Sequence, residues 1–145
     1  MDNFDWNTEE EVWRRVLAVP GPVGEDVLTL LGPAMDAAGD YGFLSCELRG
    51  PAREKAAQLL CRQRETVLCL RGILRLCGGQ EPPRPCRNRE RNTEKCLRNC
   101  CRRARQAARE YTSRTAAPDF GAAYQVLASR ENENITTLLA LLGSL

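Results

Sequence analysis

Apolar positions along the chain recur at intervals of three and four residues, and no stretch alternates convincingly at period two, so the pattern predicts helices and no sheet. A short leading helix is expected through EEEVWRRVLAV, capped by Asn7 or Thr8, with an apolar stripe of Val12, Trp13, Val16 and Leu17. The run PGPVG ends it. A second helix is expected from near Glu25 to Gly50, kinked or restarted at Gly32-Pro33, because proline has no amide to donate and crowds the preceding turn. Pro51 suits the first turn of a third helix, which Gly78-Gly79 stops. Asn92 or Thr93 caps a fourth helix reaching about Arg114, and a last helix runs from about Asp119 to Gly143.

The stretch QEPPRPCRNRER is proline-rich and charged, and it divides the helices into pairs. The expected organisation is an N-terminal helix and linker at 1–23 followed by a four-helix bundle at 24–145. Within the bundle, hairpin one covers 24–79, a linker 80–91, and hairpin two 92–145.

The two hairpins echo each other. Ala34, Ala37 and Tyr41 in the first are matched in spacing by Ala104, Ala107 and Tyr111 in the second. The partner helix of each hairpin carries an apolar stripe broken by a polar pair three residues apart, hence on one face: Gln63 and Thr66, then Glu131 and Asn134. From Tyr41 to Gln63 is 22 residues, and from Tyr111 to Glu131 is 20.

This doubled pattern resembles the ferritin-like superfamily, specifically small bacterial rubrerythrin-type proteins. Each hairpin of that family places a glutamate seven residues before a tyrosine and E-x-x-H on the partner helix. The resemblance covers roughly residues 24–143 and implies an all-α, ferritin-like up-down four-helix bundle of two hairpins. It also implies that Ala34 and Ala104 stand at the first glutamate positions of a di-iron site. Gln63 and Glu131 stand at the second glutamates, Thr66 and Asn134 at the histidines, and Tyr41 and Tyr111 at the outer tyrosines. Of the six ligand positions only Glu131 keeps a carboxylate, and the chain has no histidine at all. One carboxylate with neutral amides and a hydroxyl cannot balance two iron ions. Iron and di-iron oxidoreductase chemistry are therefore not expected, and no catalytic residue is assigned. A residual metal-dependent oxidoreductase with an atypical site around Glu131 is the third reading. The first is a non-catalytic structural or protein-interaction module.

Eight cysteines supply the second reading, a soft-metal site for zinc or cuprous copper. Its expected members are Cys77, Cys86, Cys96, Cys100 and Cys101, taken to gather around the linker at the bundle end opposite Gly50. Cys69 and Cys101 fall off the core stripes. The beginning MDNFDWNTEEE has no signal-peptide character and no apolar run approaches membrane-spanning length, so a cytoplasmic protein with free thiols and no membrane partner is expected.

Charge is uneven behind a formal net of +2. Residues 1–50 hold 3 basic and 10 acidic side chains, whereas residues 51–114 hold 17 and 6. On the fourth helix Arg98, Arg102, Arg105 and Arg109 make a basic stripe. Without interleaved aromatics or a helix-turn-helix signature, nucleic acid is not the expected partner. Pairing of acidic with basic helices is expected instead, within the bundle or across a homodimer or other protein contact.

Overall fold

The computed structural model describes residues 22–84 and 88–145. The expected leading helix and Cys86 lie outside the described residues. Among the described residues there are four helices: α1 (Pro22–Glu47), α2 (Pro51–Leu76), α3 (Thr93–Thr112) and α4 (Gly121–Gly143). No strand occurs among the described residues. None of these helices is long and apolar enough to cross a membrane.

Local chemistry sets most helix ends. Gly50 adopts φ 62°, a left-handed value that other residues resist, and hands the chain to Pro51 at the start of α2. At the far end of α2 the Gly79 amide donates to Leu74 O at 2.9 Å and the Gly78 amide to Arg75 O at 3.0 Å. With Gly78 at φ 76°, this is the Schellman closure that two consecutive glycines permit. Asn92 caps α3, its Oδ1 accepting the Lys95 amide at 3.0 Å.

Of the kink or restart expected at Gly32-Pro33, the restart does not occur. Helix α1 continues through Gly32-Pro33 without interruption. Pro33 is exposed, so its ring faces solvent and it deprives the helix of only one amide donor. The neighbouring Gly32 carbonyl accepts Arg84 Nη1 at 2.6 Å, a donor from outside the helix.

Helix α1 packs along α2 and α3 along α4; the hairpins then join through α1 against α3 and α2 against α4. The connection from α2 to α3 crosses the length of the bundle. Glu81 pairs with Arg71, Arg84 Nη2 donates to Asp36 Oδ1 at 2.9 Å, and Arg89 Nη1 donates to Gly39 O at 3.2 Å. The linker thus follows α1 from its middle toward its C-terminal half and starts α3 at the end where Gly50 turns. Tyr41, Leu44, Ala56, Leu59, Cys96, Leu97, Cys100, Leu138 and Leu141 share one apolar cluster at that end. Val27, Leu31, Leu70, Leu74, Tyr111, Tyr124 and Leu127 share a second cluster at the other.

The crossing corrects the expected grouping of cysteines. Cys77 packs against the second cluster, whereas Cys96, Cys100 and Cys101 lie in the first, so they do not gather at one end. Cys101 is also buried rather than displaced from the core.

Candidate functional site

Between the two apolar clusters lies a polar layer. Gln63 and Thr66 from α2 and Glu131 and Asn134 from α4 are all buried, as are Ala34, Ala104, Tyr41 and Tyr111. Of the residues singled out by the sequence echo, all face the interior except Ala107, which is half-buried, as their three- and four-residue spacing leads one to expect.

Most of the layer is connected by hydrogen bonds that cross three helices. Arg62 reaches in from the surface, its Nε donating to Asn134 Oδ1 at 2.8 Å and its Nη2 to Thr137 Oγ1 at 2.9 Å. Asn134 Nδ2 points at Gln63 Oε1 at a long 3.5 Å, and Gln63 Nε2 donates to Ala34 O at 3.0 Å. The two amides thus continue one chain that runs from α2 to α4, back to α2 and on to α1. Two groups are left over: among the described residues Thr66 Oγ1 and Glu131 Oε2 have no hydrogen-bond partner.

Glu131 is the unusual residue. Burial pushes its carboxyl up to about 7, a cost that nearby Asn134 relieves only in part. Its charge in turn raises the Tyr41 and Tyr111 hydroxyls beyond what burial alone does. A cavity of about 240 Å³ opens beside it between α1 and α3, floored by Gln63 and Glu131 and walled by Ala34, Ala37, Ala107 and Tyr111. Gln106 and Glu110, at least partly exposed, line it towards solvent.

Charge is arranged on two levels. The three aspartates of α1 are engaged from within the molecule: Asp26 by Arg114 at 2.6 Å, Asp40 by Arg103 at 2.6 Å, and Asp36 by Arg84. The helix pairing expected from charge asymmetry is therefore present inside the bundle. Arg98, Arg102, Arg105 and Arg109 are exposed along α3. Arg98 pairs with Glu94 one turn back and Arg102 Nη2 donates to Asn99 Oδ1 at 2.9 Å. Among the described residues Arg105 and Arg109 pair with no carboxylate. These four arginines border a groove with Cys101, Leu139 and Leu142.

The seven described cysteines are all free thiols. Cys96 and Cys100, buried and one turn apart, have Asp40 of α1 beside them, and the two sulfurs and a carboxylate oxygen all lie within 4.8 Å of one another. Sequence reading missed Asp40 and Arg103 here. Its only available signal was the adjacency of Asp40 to Tyr41, which fixes height along α1 but not direction. Compared with protein-family models, curated proteins and solved structures, the chain matches none.

Proposed function

We propose that this is a rubrerythrin-like bundle without a working di-iron site, serving in the cytoplasm as a non-catalytic protein-interaction module. Its exposed arginine face on α3 docks an acidic protein partner. The core supports the non-catalytic half of this reading. At the positions where iron would need lone pairs, Asn134 Nδ2 and Gln63 Nε2 present donors instead, each directed at an acceptor of the protein.

The observation that carries the docking half is the division of labour among arginines. Arg84, Arg103 and Arg114 are consumed by the acids of α1, whereas Arg98, Arg102, Arg105 and Arg109 stay outside, next to Leu139 and Leu142. Of the latter four, Arg98 alone is ion-paired among the described residues. Positive charge bordering a partly apolar groove is complementary to an acidic surface carrying a few apolar side chains.

The test is titration of the protein with a labelled glutamate-rich helical peptide at several salt concentrations. Replacing Arg98, Arg102, Arg105 and Arg109 by glutamine should weaken binding at least tenfold, with a flatter salt dependence. A control carries glutamine at Arg49, Lys55, Arg64 and Arg75, all exposed, and has the same net charge. Equal weakening in both variants, or no binding by the natural protein, defeats the docking reading. Sedimentation equilibrium separates one further case: self-association abolished by the α3 substitutions replaces the acidic partner with a second copy.

A further inference from the structure

We propose that Asp40, Cys96 and Cys100 form a binding site for a single divalent zinc-type ion, held between α1 and the first turns of α3. The three ligand atoms come within 4.8 Å of one another without any ion among them, and the three residues are 4%, 1% and 0% exposed. A tetrahedral zinc bonded to two thiolates sets its sulfurs about 3.8 Å apart, so closing the site needs shifts of about 1 Å at most. The four-residue spacing of Cys96 and Cys100 stacks both sulfurs on one helix face, and the crossing linker delivers that face to Asp40.

Donor chemistry selects the ion. Two sulfurs and one carboxylate oxygen suit a borderline metal such as zinc, whereas cuprous copper gains nothing from the oxygen and magnesium or calcium nothing from the sulfurs. Charge favours a dication as well: ionised, the three ligands are negative, and a doubly charged ion beside the Arg103 guanidinium offsets them in a buried place where an uncompensated charge would be costly. Arg103 Nη1 donates to Asp40 Oδ2 at 2.6 Å, the outer hydrogen bond that orients a metal-binding carboxylate. Zinc entry releases the two thiol protons, and the ion's fourth position is left to water.

The two sulfurs are within hydrogen-bond reach of each other, a contact that lowers the Cys96 thiol and raises the Cys100 thiol. Cys101, although buried in the same cluster, is not among the three converging groups, and Cys77 lies at the other end of the bundle.

The decisive experiment uses the full chain, reduced and stripped with a chelator, titrated with zinc against a chromophoric competitor and separately with cobalt(II). One equivalent of each should bind. Cobalt should show thiolate charge-transfer absorption of two-sulfur intensity with tetrahedral visible bands. Cys96→Ser with Cys100→Ser should abolish binding, and Asp40→Asn should weaken it at least tenfold. Cys77→Ser and Cys101→Ser should leave it unchanged. Should the double variant fail to fold, alkylation of the natural protein in enough urea for the zinc-free chain to react at every thiol decides: zinc must protect Cys96 and Cys100 and no other cysteine. No stoichiometric complex, protection elsewhere, or binding of cuprous copper alone overturns the proposal.

Discussion

Arg114 grips both carboxylate oxygens of Asp26, its Nη2 donating to Oδ1 at 2.6 Å and its Nε to Oδ2 at 2.7 Å, across 88 positions of sequence. This two-point contact locks the C-terminal end of α3 to the beginning of α1. The guanidinium holds the Asp26 carboxyl below its ordinary value, so the pair stabilises the fold above the normal aspartate range and its contribution fades as pH falls through the lowered value. Because Asp26 is 42% exposed, solvent screens much of the attraction. A double-mutant cycle of Arg114→Met and Asp26→Asn should give a coupling of about 1 kcal/mol at low salt. It should shrink with added salt and with acid. A coupling indifferent to both would mean that packing, not charge, joins these residues.

Gly121 opens α4 where the chain doubles back. A Cβ placed there would collide with Thr115 O, and that oxygen belongs to backbone that cannot swing away. Gly121→Ala should therefore destabilise the protein, by about 1–3 kcal/mol by analogy with overpacked sites. Gly72, in the middle of α2 with nothing within 4 Å, supplies the contrast. There the same change should stabilise by about 1 kcal/mol, the ordinary helix preference of alanine over glycine. Urea unfolding midpoints of the two variants should move in opposite directions.

Helix ends and the polar layer were legible because their causes are local. A cap such as Asn92, the pair Gly78-Gly79, or Gln63 and Thr66 on one face act within a turn or two. The fate of Pro33 was not legible, since it depends on whether the ring meets solvent or a neighbouring helix. The route of the linker was hidden for a similar reason. Residues 80–91, extended at about 3.3 Å each, can either loop back or run the length of a 26-residue helix. The docking of Arg84 and Arg89 on α1 selects the second, and neither contact leaves a mark in local sequence. Without that route Cys77 and Cys96 look like neighbours and Asp40 looks remote from both.

The polar layer makes opposite forecasts for single and combined substitutions. Thr66 Oγ1 is buried without a partner, so Thr66→Val removes an unsatisfied hydroxyl and should stabilise by about 1 kcal/mol. Gln63→Leu alone breaks the chain, leaving Asn134 Nδ2 without its acceptor, and should cost about 1–3 kcal/mol. Apolar replacement of Gln63, Thr66, Glu131 and Asn134 together removes the buried unpaired groups of the layer at once, while Arg62 keeps Thr137 and its reach to the surface, and should be neutral or stabilising. Thermal unfolding of the three variants checks the order. A quadruple variant less stable than Gln63→Leu would show that the layer holds the helices in register rather than merely tolerating burial.

Glu131 gives the fold a pH dependence of unusual sign. Its carboxyl, ordinarily at 4.5, stands at about 7 in the folded protein, so between those values the folded state holds a proton that the unfolded state has released. Stability must then fall as pH rises through this window, by about 3 kcal/mol in all, and level off above it. The facing groups do not cancel the effect. Gln63 and Thr66 of α2 and Asn134 of α4 do not titrate, and Tyr41 of α1 and Tyr111 of α3 stay protonated throughout, their hydroxyls being raised. Arg103, at the cavity wall, keeps its charge. Asp26 and Glu110, both lowered by Arg114, act in the opposite direction but at more acid pH. Glu131→Gln should flatten the curve between pH 5 and pH 7 and make the protein more stable than the natural one at pH 8. If the variant instead keeps the slope, the proton taken up on folding sits on another residue, and the buried carboxyl is not the strained element of this core.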